Sequence, residues 1–240
     1  MSELWESFKT AIHLLVTLDP EVVQIAWRSL WIAATSCAVC VVISIPLGNL
    51  IYFNRFKGKD LLISIIQTLY SMPTVAVGLI VVMLFRRSGL FGPLGLLFTP
   101  GVMVIGQILL VTPVMLGLVI SALSGIDKAI IETATSLGAS RMQAYRICTR
   151  EAKFAIMTAV IIGFGRAISE VGLSVMVGGN IEGYTRTLTT AIPLETGKGD
   201  FPLALALGIV LIFIAFLINI ALYMLQHRRA WTKFFIWSQS

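Results

Sequence analysis

Long apolar stretches alternate with short polar segments along this chain, and the pattern predicts helices that cross a membrane. A transmembrane helix needs about 20 mostly apolar residues, because the hydrocarbon core of a bilayer is roughly 30 Å thick. We therefore predict an all-α integral membrane protein with about five transmembrane helices in a single domain, residues 1–240. The predicted spans cover residues 22–53, 61–85, 99–123, 152–177 and 202–224.

Residues 1–20 have an amphipathic pattern instead. Phe8, Ile12 and Leu15 recur at helical spacing, while Glu6 falls away from their face. A helix of this kind lies in the membrane interface with its apolar face towards the acyl chains. We predict an N-terminal amphipathic interfacial helix that precedes the first span.

Two of the predicted spans contain a proline beside hydroxyl side chains, at positions 73 and 113. Proline removes a backbone donor and bends a helix, which exposes polar backbone groups of the kind that line a water-filled pathway. The alternative is a kink that packs against a neighbouring helix. Our candidates for lining or gating a pathway are Ser71, Pro73, Thr74 and Thr112.

The fourth predicted span contains two ionisable residues, Arg166 and Glu170. Charged side chains are costly in lipid, so both should face protein or water, and a separation of four residues lets them pair on one helix face. This intramembrane ion pair could hold or release a gate, or it could be a structural clamp that fixes helix packing. We favour the clamp.

Residues 125–150 form a polar segment between the middle spans, and they predict two short helices. Ile130, Ala134 and Leu137 recur three or four residues apart, which places a small apolar stripe on one side of the first helix. Gly138 has the backbone freedom that ends a helix, and a second helix can begin directly after it. Such a helix pair could be a docking element for a partner protein or an ordinary solvated loop.

Composition supports a membrane protein and does not favour nucleic-acid binding. Apolar residues make up 57% of the chain and charged residues 12%, which leaves too little polar surface for a soluble domain. The net charge of +6 is not clustered among aromatic residues, and membrane proteins commonly carry excess Lys and Arg on cytoplasmic loops. The sequence contains no Gly-rich phosphate-binding loop, no catalytic constellation and no metal-ligand pattern, so we predict no enzyme activity and no bound metal or cofactor.

Residues 132–138, Glu-Thr-Ala-Thr-Ser-Leu-Gly, resemble the EAA loop of bacterial ATP-binding-cassette (ABC) importer permeases. The family pattern is Glu-Ala-Ala, three residues and Gly, so this half matches apart from Thr133. The family pattern ends in Ile-x-Leu-Pro, where this chain has Cys148, Arg150 and Glu151 in place of Ile, Leu and Pro. The resemblance implies a cytoplasmic coupling helix within residues 125–150, whose contacts with the ATPase subunit are made by Glu132, Ala134, Leu137, Gly138, Ser140 and Arg141.

A second block is similar to the permeases for molybdate, tungstate and sulfate. Residues 165–172, Gly-Arg-Ala-Ile-Ser-Glu-Val-Gly, and residues 177–192 carry this likeness, and the second of them most resembles the tungstate type. The resemblance implies a type I ABC importer transmembrane fold and an oxyanion importer, with tungstate as the expected substrate and molybdate or sulfate as alternatives of the same class. A self-contained secondary transporter or channel is the rival from another class.

The same resemblance implies the partners. They are a second copy of this chain, two ATP-binding cassette subunits that use ATP and Mg, and an external oxyanion-binding protein. Membrane lipid surrounds the assembly, and no nucleic acid is expected. Closure of the ATPase subunits on nucleotide would switch the spans between inward-open and outward-open states.

The positions of Lys and Arg predict the orientation in a bacterial or archaeal cytoplasmic membrane. With residues 125–150 inside, eleven of these cations lie inside and six outside, which agrees with the excess of positive charge on cytoplasmic loops. The N-terminus is then outside and the C-terminus inside. Residues 178–201 form an outer polar loop that could meet the binding protein, shape the outer mouth or be a solvated connector. The inner set includes Arg228, Arg229 and Lys233.

Overall fold

The computed structural model describes the backbone of residues 2–237 and the side chains of residues 5–218, 220, 221 and 224. The predicted orientation depends partly on residues outside this description. They are the terminal residues 1 and 238–240 and the side chains of Arg228, Arg229 and Lys233. Within residues 2–237 the chain is all helical, as predicted, and forms no strand. The helices are α1 (Ser2–Val16), α2 (Pro20–Phe53), α3 (Lys59–Thr68), α4 (Thr74–Phe85), α5 (Pro100–Ser124), α6 (Lys128–Ser136), α7 (Arg141–Glu151), α8 (Lys153–Ile168), α9 (Gly172–Gly178), α10 (Leu188–Lys198) and α11 (Phe201–Trp237).

Three helices are long and apolar enough to cross a membrane, namely α2, α5 and residues 201–218 of α11. Two further pairs qualify jointly, α3 with α4 and α8 with α9. By length and composition the described residues therefore offer three candidate spans, or up to five if each bent pair crosses as one. The predicted number of about five corresponds to the second count.

Both bent pairs have a sharp break between their helices. α3 continues into a 3₁₀ turn at Leu69–Ser71, and Pro73, which has no backbone N–H to donate, precedes the first residue of α4. The two parts meet at 97°. The predicted span 152–177 is likewise two helices, which meet at 56°. Pro113, in contrast, lies inside α5 without interrupting it.

The middle of the molecule is formed by α2, α5 and α8, which pack side by side around a buried cluster. Cys40, Val111 and Val119 are 0% exposed in this cluster. Small residues bring the backbones close together, since a Cβ on Gly48 would lie 2.6 Å from Val119 Cγ1. Helices that approach this closely fix the positions of the segments that follow them.

α1 packs along α11, and Asp19 forms the junction to α2. Ala11 is fully buried with Leu203 and Leu207, while Phe8, one turn before it, remains 44% exposed. The carboxylate of Asp19 accepts hydrogen bonds from the first backbone N–H groups of α2, which satisfies donors that the helix itself cannot pair. One face of the amphipathic helix α1 is thus buried against α11, and another face is exposed.

We predicted a polar loop over residues 178–201, and this prediction is wrong for Leu188–Lys198, which form α10. Arg186 lies two residues before the start of this helix and is only 6% exposed. Its guanidinium lies 3.3 Å from Glu21 and 3.5 Å from Glu195. Hydropathy misses such a segment, because polar side chains can be buried when they satisfy one another.

Candidate functional site

Local hydrogen bonds and one glycine determine where the helices α6 and α7 begin and end. Asp127 begins α6 by accepting a hydrogen bond from Ala129 N at 2.9 Å. Gly138 ends it with φ +84°, a left-handed conformation that favours glycine. Ser140 and Gln143 then form a capping box that begins α7. The turn between the two helices is therefore sharp and well defined.

Most of the residues predicted to contact an ATPase subunit are exposed on this helix pair. Glu132, Gly138, Ser140 and Arg141 are exposed, and Ala134 is buried. Leu137 is 83% exposed, although it follows the buried Ala134 at helical spacing and comes directly after the last residue of α6.

A surface groove of about 450 Å³ lies between the two helices. Its walls include Ala134, Leu137 and Gly138 from the predicted set, and Gln143 and Ile147 from α7. An exposed leucine beside such a groove is the kind of apolar contact that a partner protein can bury. The structure thus brings part of the predicted contact set into one surface.

α7 is fastened to the end of α2 by side chains that our sequence analysis did not select. The rings of Tyr145 and Phe53 stack with their centroids 4.3 Å apart, and Thr149 Oγ1 donates to Asn49 Oδ1 at 2.9 Å. Cys148 is fully buried beside them; burial, and secondarily the charge of Glu151, raise the pKa of its thiol. The four-residue spacing of Tyr145 and Thr149 was visible in the sequence, but their partners about 100 positions away were not.

The breaks of the two bent pairs lie against each other at the α4–α9 interface. A Cβ on Gly172 would lie 2.8 Å from Thr74 Oγ1, and one on Gly78 would lie 3.2 Å from the Cα of Leu173. Ser71 is exposed next to this contact in sequence, and its hydroxyl donates to the Thr68 carbonyl. Glycine at both positions lets α4 and α9 approach more closely than larger residues permit.

Thr112 does not join the other pathway candidates. Its hydroxyl oxygen lies 3.4 Å from Cys40 Sγ, in the contact between α5 and α2. Ser71, Pro73 and Thr74 belong instead to the break between α3 and α4. The four candidates therefore do not form one continuous lining.

Glu170 organises the break between α8 and α9. One carboxylate oxygen accepts from Arg166 at 2.7 Å, and the other accepts from Leu173 N at 2.9 Å. Thr189 donates to the Glu170 carbonyl, so α10 is tied to the same point. Glu170 is 2% exposed and the Arg166 side chain 31% exposed. Both carboxylate oxygens of Glu170 thus accept hydrogen bonds at the bend, whereas the Arg166 side chain is partly exposed.

A second groove, of about 470 Å³, lies between α5 and α8. Its walls carry small and hydroxyl side chains, among them Ser121, Ala155 and Thr158. The groove extends from the end of α8 that adjoins α7, with Glu151 and Ala152 in its wall, to one turn before Arg166. Among the side chains that the structure describes, no three His, Cys, Asp or Glu residues come together as a metal site.

Comparison with known proteins gives a consistent set of likenesses. Residues 40–230 match the family model described as binding-protein-dependent transport system inner membrane component. The tungstate uptake system permease protein TupB of Peptoclostridium acidaminophilum is 41% identical over 226 residues, which is 94% of this chain and 99% of that one. The molybdenum transport system permease protein ModB of Escherichia coli (strain K12) is 26% identical over 234 residues, covering 90% and 99% of the two chains.

The fold is also similar to solved structures. A bacterial alginate ABC transporter, crystallised in complex with an alginate pentasaccharide-bound periplasmic protein, matches with a TM-score of 0.73 at 20% identity. The match covers 96% of this chain and 89% of that chain. At this identity the likeness concerns the fold alone.

Proposed function

The chain belongs to the family of binding-protein-dependent transport system inner membrane components, and on that premise we propose that it is the permease of an ATP-driven tungstate importer. Membership in this family makes it a multi-pass protein of the cytoplasmic membrane and a subunit of an ABC transporter. The ATPase of such a transporter lies in a separate subunit that uses ATP, and a binding protein is a further partner.

The helix pair α6–α7 receives mechanical work from the ATPase in this proposal. The observation that carries it is an apolar side chain, Leu137, held 83% exposed on a turn whose geometry is fixed by Gly138 and the capping box. Work done on α6 reaches the spans through the contacts of α7 with Phe53 and Asn49 and through the direct continuation of α7 into α8. These routes would switch the pathway between inward-open and outward-open states.

The remaining partners and the orientation also belong to the proposal. Two copies of this chain assemble with two ATPase subunits and an external oxyanion-binding protein, with the N-terminus outside and the C-terminus inside. The excess of Lys and Arg on the segments 55–59 and 125–150 supports this orientation. In this assembly the chain itself binds no nucleotide, which agrees with the lack of a Gly-rich phosphate-binding loop in its sequence.

Tungstate is proposed as the substrate because the 41% identical relative is named for tungstate uptake and the 26% identical one for molybdenum transport. Molybdate and sulfate are the alternatives of the same class. The test is uptake by liposomes that contain the complete transporter and its binding protein, supplied with each of the three oxyanions at equal concentration. Faster uptake of tungstate than of the other two supports the proposal, and faster uptake of molybdate or sulfate contradicts the choice of tungstate.

A further inference from the structure

Arg166 differs from Arg28 and Arg186 in the way its guanidinium is used. Arg28 donates to two backbone carbonyls, and Arg186 lies within reach of three carboxylates. Within the described residues, the side-chain hydrogen bonds of Arg166 involve only NH1, which donates to Glu170. Its side chain is 31% exposed, so the other donors of the guanidinium face outward.

The surface on either side of Arg166 along α8 is open. A Cβ on the preceding Gly165 would meet no atom within 4 Å, and Ser169 on the next turn is exposed. A guanidinium facing lipid at this depth would be costly, whereas one facing water or a partner subunit would not. The arginine therefore faces a part of the surface that lipid does not cover.

The α5–α8 groove leads from the inner end of α8 towards this arginine. Ala155, Ala159 and Ile162 line it and are followed by Arg166 at intervals of three or four residues, which places all of them on one side of α8. Arg166 lies 13 residues after the start of α8, roughly 20 Å along the helix. A solute that entered the groove from the α7 end would reach the guanidinium part of the way across the membrane.

We propose that the α5–α8 groove is the inner part of the substrate pathway and that Arg166 binds the oxyanion directly. This inference rests on the proposed importer function. A guanidinium presents planar N–H donors that match two oxygens of a tetrahedral oxyanion. Glu170 is paired with Arg166 and partly neutralises its charge. The site therefore attracts the anion less strongly than an unpaired arginine would, and the anion can still be released.

The test compares four forms of the complete transporter in liposomes, and the quantity measured is tungstate uptake per ATP hydrolysed. The forms are the wild type, Arg166→Lys, Arg166→Gln, and Arg166→Gln combined with Glu170→Gln. The combined variant removes both charges and leaves no buried carboxylate unpaired, and the side-chain oxygen of a glutamine at position 170 can still accept from Leu173 N. Size-exclusion chromatography of each complex checks assembly.

We expect uptake per ATP to fall at least about tenfold in the combined variant, the factor that loss of a charged hydrogen bond implies. Arg166→Lys keeps the positive charge and should retain several times more uptake than the neutral forms. An assembled combined variant that transports like the wild type, or a lysine form no better than the glutamine form, would overturn the role of Arg166 while leaving the importer function intact. A wild-type complex that takes up no oxyanion would overturn both.

Discussion

Replacement of Gly138 by valine tests the turn between α6 and α7 most sharply. Gly138 has φ +84°, and a Cβ there would meet no atom within 4 Å, so the variant introduces backbone strain without a clash. A left-handed conformation costs an L-residue about 1–2 kcal/mol, more for a β-branched one. A penalty of that size lowers the population of the native turn roughly 5- to 30-fold relative to alternatives.

The chain supplies a matched control at Gly58. This glycine has φ +88°, is equally open, and lies between α2 and α3, at the end of α2 to which α7 is fastened. Gly58→Val therefore carries the same local strain in a loop that has no proposed contact with the ATPase. Gly138→Asn is a second control, because asparagine tolerates the left-handed region.

The assay is ATP-driven tungstate uptake by liposomes with the complete transporter, measured together with ATP hydrolysis. We expect Gly138→Val to reduce uptake per ATP at least about fivefold, the lower end of the population change, while Gly58→Val and Gly138→Asn stay near the wild type. If Gly138→Val and Gly58→Val have equal uptake per ATP in intact complexes, the turn is not the element that couples hydrolysis to transport.

Three further experiments test two individual contacts and the orientation. Glu170→Ala leaves Arg166 and the backbone N–H of Leu173 without their acceptor and should lower the free energy of unfolding by about 1.5–3 kcal/mol. The control Glu182→Ala removes the exposed carboxylate of an ion pair with Arg186 and should change the free energy of unfolding by less than about 1 kcal/mol. Equal losses in thermal unfolding would contradict the role of Glu170 at the bend. Tyr145→Ala should lower the free energy of unfolding by about 0.5–1.5 kcal/mol beyond the loss of buried area, because the stacking on Phe53 is lost. It should also lower uptake per ATP. Unchanged uptake per ATP would show that the contact between α7 and α2 does not transmit work from the ATPase. Cys148 is fully buried and the raised pKa of its thiol lowers its thiolate fraction, so maleimide should label Leu137→Cys in inside-out vesicles at least about tenfold faster than Cys148. Faster labelling in right-side-out vesicles would reverse the proposed orientation.

The apolar pattern was sufficient for the class of the protein and for most of its long helices. Stretches such as residues 99–123 have to be buried in lipid or protein whatever their neighbours are, so hydropathy alone locates them. The helix pair α6–α7 was also visible, because Gly138 and the apolar spacing before it act through residues close in sequence.

Contacts between distant segments were not visible in the same way. The pairing of Thr149 with Asn49 joins positions 100 residues apart, and periodicity reports which side of a helix is buried but not what covers it. For the same reason Thr112 was grouped with Ser71, although the structure places it against Cys40. The burial of Arg186 depends on carboxylates from two other segments, which no local pattern could indicate.

The central claim is that this chain transports only when a separate ATPase subunit drives it. The most direct test is tungstate uptake into liposomes that contain this chain alone, compared with liposomes that also contain the ATPase subunits, the external binding protein and internal ATP. We predict uptake only in the complete system. Uptake down a gradient by the chain alone, at the rate of the complete transporter, would contradict the claim and identify a secondary transporter or channel.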